Sequence, residues 1–382
     1  MTYKAFQDYY KSAEIRHFIL HSHQGKLISP PFCTDKNKEY NQYAILDGDN
    51  VSYIELDLPP ATSKTNAICS IGEDVWFVPY GIWDSFPYVV QIAKDGPVYH
   101  KLDSQGEGQF YSIATNGSDA FSFPLGYKET NFCIHIKDNK VNTLPIPDAG
   151  QKLHMGTVFC NGSYWSLPRS EHPGYSRLYE FDSKDLNYYE LPISYNSTQI
   201  TRKYTDIIVK GNTLYGLPFG ETKGLNTIIE FNTDTKSFNT YDVDFDFAKK
   251  YNWGVLVGDH IVALPYGDEH FNDSNLGLIF NTVTKEINTF EINYSFGGKY
   301  RYRSGIARKG KALFLPAGTL ECPIIEVNVN GTYKEKRYDN LLFSRPVEHN
   351  NQIYTIVYDV ITKENTVVKV LDNLEIETVA QL

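Results

Sequence analysis

Short apolar stretches recur along the chain, each preceded by a polar turn and each ending at a proline. They read KLISPPF from Lys26, DVWFVPYG from Asp74, DAFSFPLG from Asp119, SYWSLPRS from Ser163, TLYGLPFG from Thr213, HIVALPYG from His260, KALFLPAG from Lys311 and QIYTIVYD from Gln352. The markers are Pro30, Pro79, Pro124, Pro168, Pro218, Pro265, Pro316 and, where proline is lost, Val357, spaced 41 to 51 residues apart. About seven residues before each marker lies a turn rich in Gly and Asn, as at Gly72, Asn116, Asn161 and Gly211. Such residues tolerate the positive φ of tight hairpins, so an inner strand must run into each proline strand.

The second half of each unit carries two more strands. Apolar runs follow the proline strand, as in YVVQI from Tyr88, TIIEF from Thr227 and LGLIF from Leu276. A further Asx/Gly turn, for example NTDT from Asn232 or NVNG from Asn328, leads to alternating segments such as SFNTYDV from Ser237. Period-two alternation is the mark of a half-exposed strand. Four strands repeated at this spacing define the blades of an all-β propeller.

Eight units of about 45 residues fill residues 15–382 as a single domain. Their expected bounds are 15–57, 64–103, 109–148, 153–194, 203–244, 250–293, 301–339 and 343–382. Seven blades remain the alternative, because the last unit lacks its proline. Residues 1–14 read as a short helix or an arm.

Registering the repeats on their markers brings out a second pattern. Fifteen residues before the marker stand Lys64, Gln109, Leu153, Lys203, Lys250 and Arg301; Thr65, Phe110, His154, Tyr204, Tyr251 and Tyr302 follow them. Arg16 falls one step late in the first unit, Arg303 follows Arg301 closely, and Arg345 lies nearby in the last. The innermost strand of a blade lines the central channel, so its first residue is expected at the channel mouth. Cations there would form a funnel for an anion, with aromatic faces to stack on a ring or sugar. Equally, they would staple neighbouring blades by pairing with Asp103, Asp148, Asp244 or Asp246, since repeats reuse structural contacts.

The histidines sort by the same topology. His17 and His154 begin inner strands, and His172 and His270 lie on loops expected on the same face, whereas His23, His260 and His349 belong to the opposite one. A cluster of His17, His154, His172 and His270, with Asp268, would hold a divalent metal ion or supply a general base, a role open also to Tyr204, Tyr251 and Tyr302.

Composition narrows the partners. A net charge of −10 disfavours nonspecific nucleic-acid binding, which needs a clustered basic surface. No apolar run is long enough to cross a membrane and the N-terminus lacks a basic, apolar leader, which points to a cytoplasmic protein. Five widely spaced cysteines without a CxxC pair read as reduced core residues. There is no phosphate loop, dinucleotide fingerprint or nucleophile elbow.

Through the outer halves of its units, such as LYEFDSKDLNYYELP from Leu178 and IIEFNTDTKSFNTYDV from Ile228, the chain resembles the β-propeller superfamily, most nearly its kelch-like members. The Gly-Gly pair of kelch, the Trp-Asp ends of WD40 blades and the Asp-box of sialidases are all missing. The resemblance therefore implies the fold and its functional face, and assigns no catalytic residue. The function expected is binding of a small anionic or carbohydrate-like molecule at the channel mouth by Arg16, Lys64, Lys203, Lys250, Arg301, Arg303 and Arg345. The alternatives are a lyase-type enzyme, with or without a metal, and a protein-interaction scaffold on the same rim.

Overall fold

A computed structural model describes residues 13–81, 86–103, 109–125, 131–146, 154–169, 176–193, 203–220, 225–244, 250–266, 275–292, 302, 304–316 and 323–382. The described strands form eight antiparallel sheets, at 21–55, 65–101, 114–145, 158–190, 208–242, 251–291, 304–336 and 341–381, here blades 1 to 8. Within each sheet, sequence neighbours pair along a meander. The chain is an eight-bladed β-propeller, and the seven-blade alternative is set aside. Blade 8 has five strands because its inner strand is split into Leu341–Phe343 and Val347–His349, both paired with Gln352–Asp359. The proposed N-terminal arm falls almost wholly outside the described residues.

Hairpin turns form where Gly and Asn recur, with Asn161 and Gly162 at φ 51° and 79°. Proline strands are buried on both faces, because each is sandwiched between its neighbours. The core is accordingly a ring of inter-blade clusters. One packs Trp165, Leu167 and Leu178 of blade 4 against Leu214, Ile229 and Phe231 of blade 5.

A repeated irregularity governs where inner-strand side chains point. In blade 2, Thr65 pairs with Pro79 but Ala67 with Val78. In blade 6, Tyr251 pairs with Pro265 but Gly254 with Ala263. The same shift separates His17↔Pro31 from His21↔Ile28, His154↔Pro168 from Val158↔Trp165, and Phe343↔Val357 from Val347↔Tyr354. Each inner strand so traced carries one extra residue, a β-bulge, which bends the strand and re-aims a side chain. Proline suits this break because it has no N–H to leave unpaired.

The pairing of His17 with Pro31 corrects the first marker. Pro31, not Pro30, is equivalent to Pro79 and Pro168, and Arg16 then falls fifteen residues before it, in step with Lys64 and Lys203. Backbone bonds agree: Phe32 N–H donates to Arg16 O at 2.8 Å as Tyr80 N–H donates to Lys64 O at 2.9 Å.

Candidate functional site

In blades 2 to 6 the start of the inner strand proves to be a seam with the preceding blade. Backbone N–H groups of Lys64, Gln109 and Lys250 donate to carbonyls of Phe32, Tyr80 and Phe219 in the preceding unit, at 2.7 to 2.9 Å. The Lys64 side chain is fully buried, and its ammonium donates to Lys38 O at 2.7 Å, Tyr40 O at 2.9 Å and Asn41 Oδ1 at 2.6 Å. Lys64 therefore staples blade 2 to the loop after the blade 1 proline strand, through carbonyls rather than aspartates. Lys203 and Lys250 are equally buried, and burial pulls the Lys203 ammonium down to about 8. Arg16 is exposed, its guanidinium 5.5 Å from the Tyr40 ring. Arg301 and Arg303 lie outside the described residues.

The aromatic residues beside these cations tie each blade internally. Tyr204, Tyr251 and Tyr302 are buried and donate their hydroxyls to Thr227 O, Leu276 O and Pro323 O at 3.0, 3.1 and 3.0 Å. Each closes the start of the third strand in its own blade. Burial drives the Tyr251 phenol well above its usual range, so it is held neutral. His17 and His154 are buried in blades 1 and 4, three units apart. His17 Nδ1 is 3.1 Å from Ser29 Oγ and its Nε2 is 2.8 Å from the Tyr40 hydroxyl; His154 Nδ1 is 3.1 Å from Leu167 O. Burial lowers their pKa to about 4 and about 3, which keeps both neutral. His172, His270 and Asp268 lie outside the described residues. Among the described residues no three His, Cys, Asp or Glu side chains gather as a metal site would require.

Chemistry converges instead three positions further along the repeat. Ser112, Gly156, Asp206, Trp253 and Arg345 all stand twelve residues before their markers, in blades 3, 4, 5, 6 and 8. All five line a channel cavity of about 400 Å³, with Tyr111 and apolar residues such as Val158, Ile208, Leu256 and Ile306. The bulges place three of them there: Gly156, Trp253 and Arg345 lie within the shifted stretches of blades 4, 6 and 8, where the extra residue turns from the ladder toward the axis.

Arg345 is the most exposed to this effect. It follows Ser344 and precedes Pro346 in the gap between the two inner-strand pieces of blade 8. Ser344 secures the gap by donating its N–H to Ile356 O at 2.9 Å and accepting from Ile356 N–H at 3.0 Å through Oγ. Held this way, the Arg345 guanidinium reaches across the channel. Its Cζ is 4.4 Å from the Tyr111 ring of the blade 3 inner segment and 5.9 Å from the Trp253 ring of blade 6. Trp253 is anchored by donating Nε1–H to Gly305 O at 3.2 Å. Arg345 Nη2 is buried and has no hydrogen-bond partner among the described residues.

Asp206 supplies the opposite charge. Burial raises its carboxyl to about 7, against the backbone amides of Ile207 and Gly254 and the positive charge of Arg345, which favour the ionised form. Gly254 lets the blade 6 amide come close: a Cβ there would sit 2.5 Å from Ile208 Cδ1 and 2.8 Å from Leu217 Cδ1. No ion pair within 4.0 Å joins Asp206 to Arg345 among the described residues. Of the residues expected to bind ligand, the structure places Arg345 in this cavity, whereas Asp206, Trp253 and Tyr111 escape the sequence reading. For Asp206 and Trp253 the signal was the same repeat register, read twelve rather than fifteen residues before the marker, and Tyr111 stands one residue before that position in blade 3.

These features define the chain as a β-propeller with a charged and aromatic cavity on its axis. No family model and no curated protein sequence matches it. Solved structures share the fold. A catalytically inactive virginiamycin B lyase from Staphylococcus aureus, crystallised with quinupristin, is 14% identical with a TM-score of 0.54, over 78% of this chain and 92% of that one. BamB from Moraxella catarrhalis is 9% identical with a TM-score of 0.58, over 91% and 96%. A putative 6-phosphogluconolactonase from Bacteroides fragilis is 14% identical with a TM-score of 0.51, over 82% and 95%. At these identities the likeness concerns architecture, which serves unrelated functions.

Proposed function

We propose that this protein binds a small anionic molecule in its central channel, with Arg345 as the anion-holding group and Trp253 and Tyr111 as stacking faces. One observation carries the reading: among the described residues, a buried guanidinium nitrogen of Arg345 beside the channel cavity has no hydrogen-bond partner. A buried donor left unmade costs about 1–3 kcal/mol, and more when charged, so a ligand that satisfies it gains that much. The cavity is of the size that holds a metabolite rather than a macromolecule. Aromatic faces beside the cation suit a ring or a sugar acid as the body of the ligand.

A lyase-type reading draws support from Asp206. A carboxylate whose pKa stands near neutrality is a competent base for a proton next to a carboxylate held by arginine. Binding is the simpler reading, since it needs only the groups described.

Calorimetric titration with acetate, inorganic phosphate, glucuronate and sugar phosphates tests it. At least one should bind the wild type, and Arg345→Ala should weaken that binding roughly tenfold or more, since a charge-assisted bond is worth about 1.5–3 kcal/mol. Unchanged affinity in a folded Arg345→Ala protein would overturn the proposal.

A further inference from the structure

We infer that the ligand of the channel is a zwitterion of the amino-acid class, its carboxylate on Arg345, its ammonium on Asp206 and its apolar body against the remaining wall. The inference rests on the anion-binding reading above and adds the second charge. Asp206 and Arg345 occupy the same position of the repeat in blades 5 and 8 and line one cavity. They are near enough for the Arg345 charge to act on the Asp206 carboxyl, yet they form no direct pair. The described lining holds no other charged side chain, and Tyr111 is its one further titratable group.

Two opposite charges that line one cavity without pairing are incompletely matched. A ligand bearing only an anion would satisfy Arg345 but bring a second negative charge toward Asp206. It would bind at the expense of proton uptake there. A ligand with both charges meets each group with its complement, and an α-ammonium carboxylate carries them a few bonds apart. The hydroxyls of Ser112, Thr157 and Thr205 on the same wall are engaged with Met155 O, Phe123 N–H and Asn252 O, and Val158, Ile208, Leu256 and Ile306 are apolar, which argues for an apolar or aromatic side chain.

Calorimetry on the full chain separates these cases, using phenylalanine and leucine against their deaminated counterparts, 3-phenylpropanoate and 4-methylpentanoate. The amino acid should bind at least tenfold more tightly than its deaminated partner. Repeating the titration at pH 6.5 in two buffers of different ionisation heat should show proton release, because an ammonium lowers the Asp206 pKa. Asp206→Asn should erase the preference for the amino acid while keeping the affinity for the deaminated acid. Equal or tighter binding of the deaminated acids to the wild type, with proton uptake, would refute the zwitterion and leave the anion site standing. Binding of neither series, with none of the anions above bound, would remove the anion site and this inference together.

Discussion

Replacing Lys64 by Met asks whether the cations at the start of the inner strands hold the ring together or hold a ligand. The Lys64 ammonium serves two backbone carbonyls and one side-chain oxygen of the neighbouring blade, and it is buried. Methionine fills similar volume but donates nothing, so three acceptors each lose a donor, although Lys38 O keeps the Ala61 N–H and Tyr40 O the Cys33 thiol. At about 1 kcal/mol each the loss is about 3 kcal/mol. Part of this returns, because methionine carries no charge to bury: desolvation already pulls the Lys64 pKa below its ordinary value. The net expectation is a loss of about 2 kcal/mol. Urea unfolding followed by the fluorescence of the buried Trp76 and Trp165 should show a lower midpoint at unchanged slope. Affinity for any channel ligand should not change. A midpoint shift equivalent to less than about 0.5 kcal/mol, the range of surface substitutions, together with lost ligand binding, would refute the seam assignment and restore the funnel.

Two further outcomes follow from buried groups. Because the native pKa values of His17 and His154, about 4 and about 3, lie below the unfolded value of 6.5, the unfolded chain takes up protons that the native one refuses. Stability should therefore fall as pH drops below 6.5, by about 1.4 kcal/mol per pH unit for each histidine down to about pH 4, and His154→Gln should shallow that slope in urea titrations. Tyr251→Phe removes the hydroxyl bond to Leu276 O and should cost about 1 kcal/mol in the same unfolding assay, while leaving channel binding intact.

Sequence alone determined the architecture. A proline-ended strand recurring at 41 to 51 residues, with Asx/Gly turns at fixed offsets, leaves a ring of four-stranded blades as the way to bury both faces of every proline strand. Blade 8 keeps this pattern even where Val357 replaces the proline, because its strands still alternate and pair. The same repeat also singled out the cations and tyrosines of the seam, though not their direction. That direction belongs to tertiary structure. Side chains along a strand alternate between faces, so one extra residue in the inner strands of blades 1, 2, 4, 6 and 8 exchanges what the seam and the channel receive. Adjacent prolines hid the first blade's register for a related reason, since only strand pairing tells Pro31 from Pro30. The cavity itself is decided by closure of the ring. Tyr111, Asp206, Trp253 and Arg345 are dozens of residues apart in sequence, and their charges and rings meet only where four different blades face one axis.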